Sequence, residues 1–369
     1  MVIFGTRPEA IKMAPVIKEL QKVKEIETVV VVTAQHREML DQVLHLFRIK
    51  PDYDLDLMKE KQDLFSITTG VLNGLQPILE KEQPQVVLVH GDTTTTFAAS
   101  LAGFYQRIPV GHVEAGLRTR NKYSPFPEEI NRTLTGKLAD LHFAPTDTAR
   151  ENLLAEATAP FKIWVTGNTV IDALLATVKD DYQFGDEIKG VNLNKRILLV
   201  TTHRRENWGK QMENIYRALL DLVEEYKDIE VVFPVHKNPI VYDLAWRVLG
   251  HRERIHLIEP LDYEPFANLM NRSFLVLTDS GGLQEEAPSL GKPVLVLRNT
   301  TERPEAVQAG TVKLVGTNQQ RIYKEACRLL HDKEEYDKMA RAINPYGDGK
   351  ASRRIVKILL DFLYSRKGN

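Results

Sequence analysis

The pattern that most constrains the fold is a regular alternation of short apolar runs with longer amphipathic segments. The runs are rich in β-branched residues and lack a strict period of two, which indicates strands buried on both faces. The segments between them have helical periodicity, as in residues 9–23 and 37–47. Strands that alternate with helices predict βαβ units and parallel sheets. The predicted strands cover residues 2–4, 27–32, 85–90, 108–113, 141–145 and 162–166, and then residues 196–201, 229–235, 254–258, 274–278, 293–298 and 312–316.

The two series of strands predict two doubly wound domains. The junction is expected near residues 166–175, just after the sixth strand. A loop containing proline and glycine precedes a last helix from about residue 350, which we expect to pack on the first domain. The predicted N-terminal domain is therefore residues 1–168 together with residues 350–369, and the C-terminal domain is residues 169–349.

Composition and charge exclude several classes of protein. The chain has 49 Lys and Arg against 50 Asp and Glu, so a chain-wide basic field for nucleic acid or anionic membranes is ruled out. No apolar run approaches the ~18 residues of a membrane span, and the first ten residues do not have the pattern of a signal peptide. The single cysteine, Cys327, excludes an internal disulfide and a cysteine-based zinc site. We expect a cytoplasmic protein with neither a membrane nor a nucleic-acid partner.

Common signatures of cofactors and metals are missing from the sequence. There is no G-x-G-x-x-G and no G-x-x-x-x-G-K-[ST], which argues against an NAD site and a P-loop. Asp52, Asp54 and Asp56 form a short acidic run, but the spacing and the glycine of an EF-hand are absent, so we predict a solvated loop. No cofactor and no metal are expected.

Polar segments that contain glycine follow most of the predicted strands. Because ligands of open α/β sheets bind outside the carboxyl ends of the strands, these segments predict two ligand-binding edges facing each other across a cleft. One of them, residues 279–282, can bring backbone N–H groups close to an anion, although an ordinary cap on a tight turn fits it equally well. Several cations follow strand ends, and their convergence would imply a dianionic or diphosphate ligand. These cations are Arg7, Lys12, Arg118, Arg204, Arg205 and Arg303.

Three carboxylates and one histidine are the candidates for proton transfer. They are Asp92, Glu114, Glu128 and His203. Asp92 can cap a helix and Glu128 can begin one, so each has a structural explanation by itself. Glu114 lies in an apolar setting at a strand end, where a carboxylate must be paired or functional. Their shared placement at the predicted sheet edges favours a catalytic group.

Seven longer motifs occur in unbroken order over nearly the whole chain. They are GTRPEAIKMAP, VHGDTTTT, HVEAGLRT, PFPEEINRTLTG, HRREN, TDSGGLQEEAPSLGKPVLVLR and TTERPEA. Together they resemble the non-hydrolysing bacterial UDP-N-acetylglucosamine 2-epimerases. The resemblance implies an α/β fold of the GT-B type, in which two Rossmann-like, doubly wound parallel-sheet domains face an interdomain cleft. It also implies interconversion of UDP-N-acetylglucosamine (UDP-GlcNAc) and UDP-N-acetylmannosamine (UDP-ManNAc), and a homodimer.

The resemblance assigns roles to the residues that match the family motifs. Catalytic roles fall on Asp92, Glu114, Glu128 and His203. Phe266 matches an aromatic residue near the uracil, whose base is otherwise held largely by the backbone of residues 261–266. The UDP-binding positions are Arg7, Lys12, Phe266, Ser280, Gly281, Gly282, Glu286 and Arg303.

Some bacterial members of this family bind a second UDP-GlcNAc as an activator. The positions that match this activator site are Gln35, His36, Glu128, Arg204 and His236. Glu38 and Lys61 depart from the pattern, since close relatives have Gln and Arg there. An added carboxylate near a diphosphate is unfavourable, so we expect weakened activation.

The chemistry of the implied reaction favours elimination. The C2 proton has no adjacent carbonyl to make it acidic, and a transient oxidation would require NAD. Loss of UDP to 2-acetamidoglucal and its re-addition need carboxylates on both sides of C2 and stabilisation of the departing diphosphate. The product would supply cell-surface polysaccharide synthesis. The alternatives are a UDP-sugar glycosyltransferase of the same fold, a hydrolysing epimerase that releases free ManNAc, and a non-catalytic nucleotide-sugar sensor.

Overall fold

Two parallel sheets, one in each of two units of the chain, make up the fold. The structure is a computed structural model and describes residues 1–34, 37–57 and 63–367, without the side chains of Arg37, Glu38 and Lys367. The first unit comprises Met1–Ala176 with Tyr346–Asn369, and the second comprises Thr177–Pro345.

The first unit is a parallel sheet with helices between its strands. Its strands are β1 (Val2–Phe4), β2 (Val30–Val32), β3 (Tyr53–Asp54), β4 (Val87–His90), β5 (Val110–Val113), β6 (Leu141–Ala144) and β7 (Ile163–Val165). Its helices up to the junction are α1 (Arg7–Leu20), α2 (Arg37–Leu46), α3 (Leu64–Glu82), α4 (Thr94–Tyr105), α5 (Glu128–Leu138), α6 (Asp147–Ala155) and α7 (Thr169–Thr177). In the described part of the chain the sheet has seven strands in the order β3–β2–β1–β4–β5–β6–β7.

The second unit repeats this plan. Its strands are β8 (Arg196–Thr201), β9 (Ile229–Pro234), β10 (Ile255–Ile258), β11 (Leu275–Thr278), β12 (Val294–Val296) and β13 (Val312–Leu314). Its helices are α8 (Lys210–Glu225), α9 (Pro239–Leu249), α10 (Tyr263–Arg272), α11 (Gly281–Glu286), α12 (Pro304–Gln308), α13 (Gln319–His331) and α14 (Lys333–Ala340). Among residues 177–345, which are all described, the sheet has six parallel strands in the order β10–β9–β8–β11–β12–β13.

The cores explain why the strands read as continuous apolar runs. In the first unit, Ile3 and Val89 pack with Leu75 of α3 and Ala98 of α4. In the second unit, Phe233 of β9 packs with helices α8, α9 and α13 in one cluster. A parallel strand with covered faces must be apolar on both sides, so no alternation remains in the sequence. The predicted α/β class, with two Rossmann-like parallel-sheet domains of the GT-B type, is confirmed.

The last helix, α15 (Ala351–Lys367), belongs to the first unit and contacts α1. Asp172 of α7 accepts hydrogen bonds from the backbone N–H groups of Ala351 (3.2 Å) and Ser352 (2.8 Å) at the start of α15. These bonds satisfy donors that the first turn of a helix leaves unpaired. They also join α7 to α15, so that residues 169–176, which the sequence placed in the second domain, lie with the first unit.

One strand was missed by the sequence analysis. Residues 53–54 form the short edge strand β3, where a solvated acidic loop was predicted. The neighbouring Asp52 is not solvated freely, since its carboxylate accepts a hydrogen bond from the backbone N–H of Val30 at 2.8 Å. Two residues at a sheet edge, flanked by acids, have too few apolar positions to produce a recognisable pattern. None of the helices in the described ranges combines the length and apolar character needed to cross a bilayer.

Candidate active site

The candidate residues cluster at one particular place in each sheet. In both units the strand order changes direction at a central pair, β1 with β4 and β8 with β11. Doubly wound sheets bind ligands outside the carboxyl ends of their strands at this switch point. Lys12 and Asp92 follow the first pair, and His203 and Ser280 follow the second.

Glu114 is the best-connected carboxylate of the first unit. It directly follows β5 and has a backbone φ of 63°, a left-handed conformation that is uncommon for a residue with a side chain. Its side chain is 10% exposed and forms an ion pair with Lys12 of α1. Asn168 also donates a hydrogen bond to its Oε2 at 2.9 Å. Because Lys12 and Asn168 both donate hydrogen bonds to it, the charged form of the carboxylate is stabilised.

His90 lies beside this pair at the end of β4. Its Nε2 is 3.7 Å from Oε2 of Glu114, and the ring is almost completely buried. Burial lowers the pKa of His90 to about 4, and the charge of Lys12 lowers it further against the opposing effect of Glu114. The ring is therefore neutral near pH 7, and Lys12 is the cation that neutralises Glu114.

Asp92 has a different environment. Its carboxylate is paired with Arg132 of α5, and Asn131 donates a hydrogen bond to its backbone oxygen at 3.0 Å. Burial raises the pKa of Asp92 despite the opposing charge of Arg132, and the nearby Glu114 raises it further. Asp92 therefore takes up a proton more readily than an exposed aspartate would.

The two adjacent glutamates at the start of α5 differ in their contacts. Within the described part of the chain, Oε2 of Glu128 is buried and has no hydrogen-bond partner. Glu129 instead accepts hydrogen bonds from the backbone N–H groups of Thr119 (3.0 Å) and Arg120 (2.7 Å). Glu129 therefore holds the loop after Glu114, whereas Glu128 has an oxygen available to a ligand.

Glu9 was overlooked by the sequence analysis although it lies in the first motif. It is 2% exposed and accepts hydrogen bonds from the backbone of Gly5 (3.0 Å) and Thr6 (2.8 Å). It also accepts from the hydroxyls of Thr93 (2.7 Å), in the loop after β4, and Thr96 (3.0 Å), in the first turn of α4. Burial raises the pKa of Glu9 against these hydrogen bonds. Glu9 thereby joins the loops that carry Arg7 and Asp92, and a glutamate three residues after a threonine at a helix start was the available signal.

In the second unit, charged groups surround the backbone at the start of α11. A Cβ added to Gly281 would lie 3.8 Å from Nη2 of Arg204, 3.9 Å from Oε2 of Glu302 and 4.0 Å from Nη2 of Arg303. Arg303 is also paired with Glu285. Oε1 of Glu286 lies 3.5 Å from the corresponding position on Gly282. Because neither glycine has a side chain, nothing separates the backbone of Gly281 from the two guanidinium groups beside it, and Gly282 is exposed.

The predicted convergence of cations is only partly observed. Arg204 and Arg303 meet near Gly281, whereas Arg118 is paired with Glu156. The guanidinium of Arg118 is 3% exposed and is bound by both oxygens of Glu156, at 2.6 and 2.9 Å. Such a bidentate pair is a strong structural contact. Arg118, which was predicted to join the cations around a ligand, therefore binds Glu156 instead.

The model of the UDP-N-acetylglucosamine 2-epimerase family matches residues 18–360. The chain belongs to this family. It is 60% identical to the UDP-N-acetylglucosamine 2-epimerase of Bacillus subtilis (strain 168), covering 98% of this chain and 94% of that one. It is 59% identical to the enzyme of the same name from Escherichia coli (strain K12), covering 97% of both chains. The UDP-GlcNAc 2-epimerase of Neisseria meningitidis, solved bound to UDP-GlcNAc, is 54% identical with a TM-score of 0.85, covering 98% of this chain and 99% of that one.

The chain is thus an isomerase, a UDP-N-acetylglucosamine 2-epimerase. Its remaining candidate residues lie in the second unit. His203 follows β8, and its ring stacks on that of the exposed His236, with centroids 5.8 Å apart and planes at 20°. Phe266 is half-buried on α10.

Part of the predicted activator site of this epimerase is not described. Gln35, His36 and Lys61 lie outside the described residues, and so does the side chain of Glu38. Arg204 and His236 are described, and they flank His203 in sequence and in space respectively. Within residues 1–34, 37–57 and 63–367, no group of three or more His, Cys, Asp or Glu side chains is placed to hold a metal ion.

Proposed function

We propose that this epimerase interconverts UDP-GlcNAc and UDP-ManNAc without hydrolysis, through elimination of UDP to 2-acetamidoglucal and re-addition. The observation that carries the proposal is the contrast between two carboxylates of the first unit. Glu114 is held by Lys12 and Asn168, which favours its ionised form, whereas burial raises the pKa of Asp92. A site that removes one proton and delivers another needs one group of each kind. The Neisseria meningitidis relative solved with UDP-GlcNAc supports the choice of substrate.

Elimination accounts for all bonds and charges of the inversion. A base removes the C2 proton as the C1–O bond breaks, the electron pair of that bond goes to the β-phosphate, and C1 and C2 become doubly bonded. Re-addition of UDP at C1, with protonation of C2 on the opposite face, gives the other epimer. We assign Glu114 as the base for UDP-GlcNAc and Asp92 as the acid that protonates the other face. Glu128, whose Oε2 lacks a partner among the described residues, would contact the sugar.

We assign the second unit to the UDP moiety, together with Arg7 of the first. The backbone at Ser280, Gly281 and Gly282 and the guanidinium of Arg303 would stabilise the charge that develops on the diphosphate. A single donor of this kind is worth ~10²–10³-fold in rate. Glu286 would hold the ribose hydroxyls, and Phe266 would lie near the uracil. The product would supply ManNAc for cell-surface polysaccharide.

Incubation with UDP-GlcNAc alone, followed by separation of the products, tests the activity. Formation of UDP-ManNAc up to an equilibrium mixture is the expected result. Free ManNAc would instead identify a hydrolysing epimerase. Absence of turnover without an acceptor would favour the glycosyltransferase or the sensor.

Turnover in D₂O is expected to place deuterium at C2 of newly formed UDP-ManNAc. The reason is that the group that protonates the second face is not the one that removed the proton, so it equilibrates with solvent between turnovers. A bridging ¹⁸O label between C1 and the β-phosphorus is expected to scramble into the non-bridging positions, since the C1–O bond breaks. Mass spectrometry and ³¹P NMR measure the two labels. Full conversion with neither label change would exclude elimination while leaving the epimerase activity intact.

Replacing Glu38 with glutamine is expected to increase cooperativity toward UDP-GlcNAc. A carboxylate at this position would repel the diphosphate of a second UDP-GlcNAc in the proposed activator site, which includes Gln35, His36 and His236. The measurement is the Hill coefficient of initial rates over a range of substrate concentrations. Strongly sigmoidal kinetics that are equal in both proteins would show that Glu38 does not influence activation.

A further inference from the structure

Asp279 is a buried carboxylate whose hydrogen bonds all go to one neighbouring loop. It follows β11 with a solvent exposure of 0%. It accepts hydrogen bonds from the backbone N–H groups of His203 (3.0 and 3.1 Å) and Arg204 (3.0 Å). The side-chain amide of Asn207 donates to it at 3.0 Å. An ordinary helix cap would bond to the N–H groups of its own helix, so these contacts point to another task.

The same carboxylate also contacts the His203 ring. Its Oδ1 lies 3.2 Å from Nδ1 of His203. Burial alone would raise the pKa of Asp279, but the hydrogen bonds from the side chain and backbone of His203 and from Arg204 outweigh it and lower the pKa. Asp279 is therefore ionised and can only accept hydrogen bonds, which requires the proton of a neutral His203 ring to be on Nδ1.

The contacts of the ring restrict its remaining freedom. Stacking on His236 holds the ring plane, and the backbone bonds to Asp279 hold the loop from which it projects. With Nδ1 directed at Asp279, Nε2 is the nitrogen that remains for a ligand. The adjacent Arg204 reaches the space beside Gly281, where the diphosphate is proposed to bind.

We propose that Asp279 is a positioning residue for the epimerisation, which fixes the protonated nitrogen of His203 and directs Nε2 toward the departing diphosphate. The inference rests on the proposed elimination and on the catalytic role that the family resemblance implies for His203. As the C1–O bond breaks and its electron pair passes to the diphosphate, the imidazolium form of His203 donates a hydrogen bond from Nε2. The ionised Asp279 stabilises that imidazolium through Nδ1. Asp279 itself contacts neither the sugar nor the diphosphate.

The first test uses the unmodified protein. Long-range ¹H–¹⁵N correlation spectra are recorded at pH 8 on protein whose histidines are labelled with ¹⁵N. The signal of His203 is identified by its loss in His203→Gln. We expect Nδ1 to show the shift of a protonated ring nitrogen and Nε2 that of an unprotonated one. The opposite assignment in the unmodified protein would overturn the proposal without any need for a folded Asp279 variant.

The second test compares Asp279→Asn with Asn207→Ser. An asparagine can present an N–H to the ring, so we expect the proton of the neutral ring to move to Nε2. It cannot stabilise the imidazolium, so the hydrogen bond from Nε2 to the departing diphosphate loses its positive charge, and we expect kcat to fall about 10- to 50-fold with KM changed less than about threefold. Asn207→Ser removes another donor to the same carboxylate but leaves the ring contact, so the protonated nitrogen should stay and kcat should remain within about threefold. If Asp279 only held the loop, the same nitrogen of the His203 ring would be protonated in both variants.

The outcomes separate this inference from the proposed function. If the unmodified protein forms UDP-ManNAc but Asp279→Asn keeps both Nδ1 protonation and full kcat, the positioning role is overturned and the epimerase activity stands. If His203→Gln turns over normally, the proposed participation of His203 fails, and the role of Asp279 in the reaction fails with it. A lowered kcat together with a shifted ring proton supports the inference.

Discussion

Glu114→Gln is expected to lower kcat by at least ~10²-fold, with the affinity for UDP changed much less. The amide keeps the shape of the side chain and its contact with Asn168, but it cannot remove a proton from C2. The ion pair with Lys12 would become an ordinary hydrogen bond, so the local fold should persist. Initial rates with UDP-GlcNAc and a binding titration with UDP measure the two quantities.

Glu82→Gln is the matched control for this substitution. Glu82 is likewise a paired glutamate of the first unit, where its side chain contacts Tyr53 and Lys81. It lies at the end of α3, before β4, and so at the edge of the sheet opposite the candidate site. The kcat of the Glu82→Gln variant should equal that of the unmodified enzyme. Near-normal turnover in Glu114→Gln would remove Glu114 from the proton-transfer groups, and the same comparison applies to Asp92→Asn and Glu128→Gln.

The first unit is expected to lose stability steeply as the pH falls from about 6.5 to about 4. His90, His112 and His142 lie on adjacent strands of its sheet and are buried. Burial lowers the pKa of His90 and His142 to about 4 and that of His112 to about 3. An unfolded chain binds a proton at each histidine below pH ~6.5. Stability is therefore complete above that pH and is lost as the pH falls, by about 2 kcal/mol per histidine at pH 5.

His112→Gln isolates one of these contributions. Glutamine can still donate to the backbone oxygen of Gly91, which Nε2 of His112 contacts at 2.7 Å, but it does not titrate. Between pH 7 and 5 the free energy of unfolding of the first unit should fall about 2 kcal/mol less in this variant. Urea unfolding in a Trp208→Phe, Trp246→Phe background leaves Trp164 of β7 as the reporter of this unit.

His45→Gln, at an exposed position on α2, is the control. Its free energy of unfolding should fall between pH 7 and 5 by as much as that of the parent protein. Buried acids such as Glu9 and Asp172, whose pKa burial raises, affect the whole curve in the opposite sense. The difference between variants removes their contribution. Equal pH dependence in His112→Gln and the parent would show that His112 is not kept neutral by the fold.

The class of fold was predictable because the strands are short, apolar on both faces and separated by amphipathic helices. The exception, β3, is two residues long and lies at the edge beside acidic residues. Neither of its residues is fully buried, since Tyr53 is half-buried and Asp54 is exposed, so the strand has no apolar run. Periodicity cannot reveal such a strand.

The positions of the candidate site residues were predictable, but their pairings were not. Strand ends in a doubly wound sheet converge, so the segments carrying Asp92 and Glu114 could be placed together from the sequence. Lys12 was matched to UDP binding, yet it is paired with Glu114, 102 residues away in the chain. Asp279 was considered as part of an anion site, yet it contacts His203, 76 residues away. Such contacts depend on the direction of individual side chains, and residue spacing carries no information about that direction.

The chain leaves the first unit after residue 176 and returns to it at residue 346. During synthesis, therefore, the whole second unit emerges from the ribosome before α15 does. The bonds that Asp172 makes to Ala351 and Ser352 can form only after that return. The second unit, whose residues are contiguous, can fold as soon as it has been made, whereas the first must wait with an uncovered surface. The part of the protein translated first is consequently the last to be completed, and a premature stop codon shortly before α15 would harm the first unit while sparing the second.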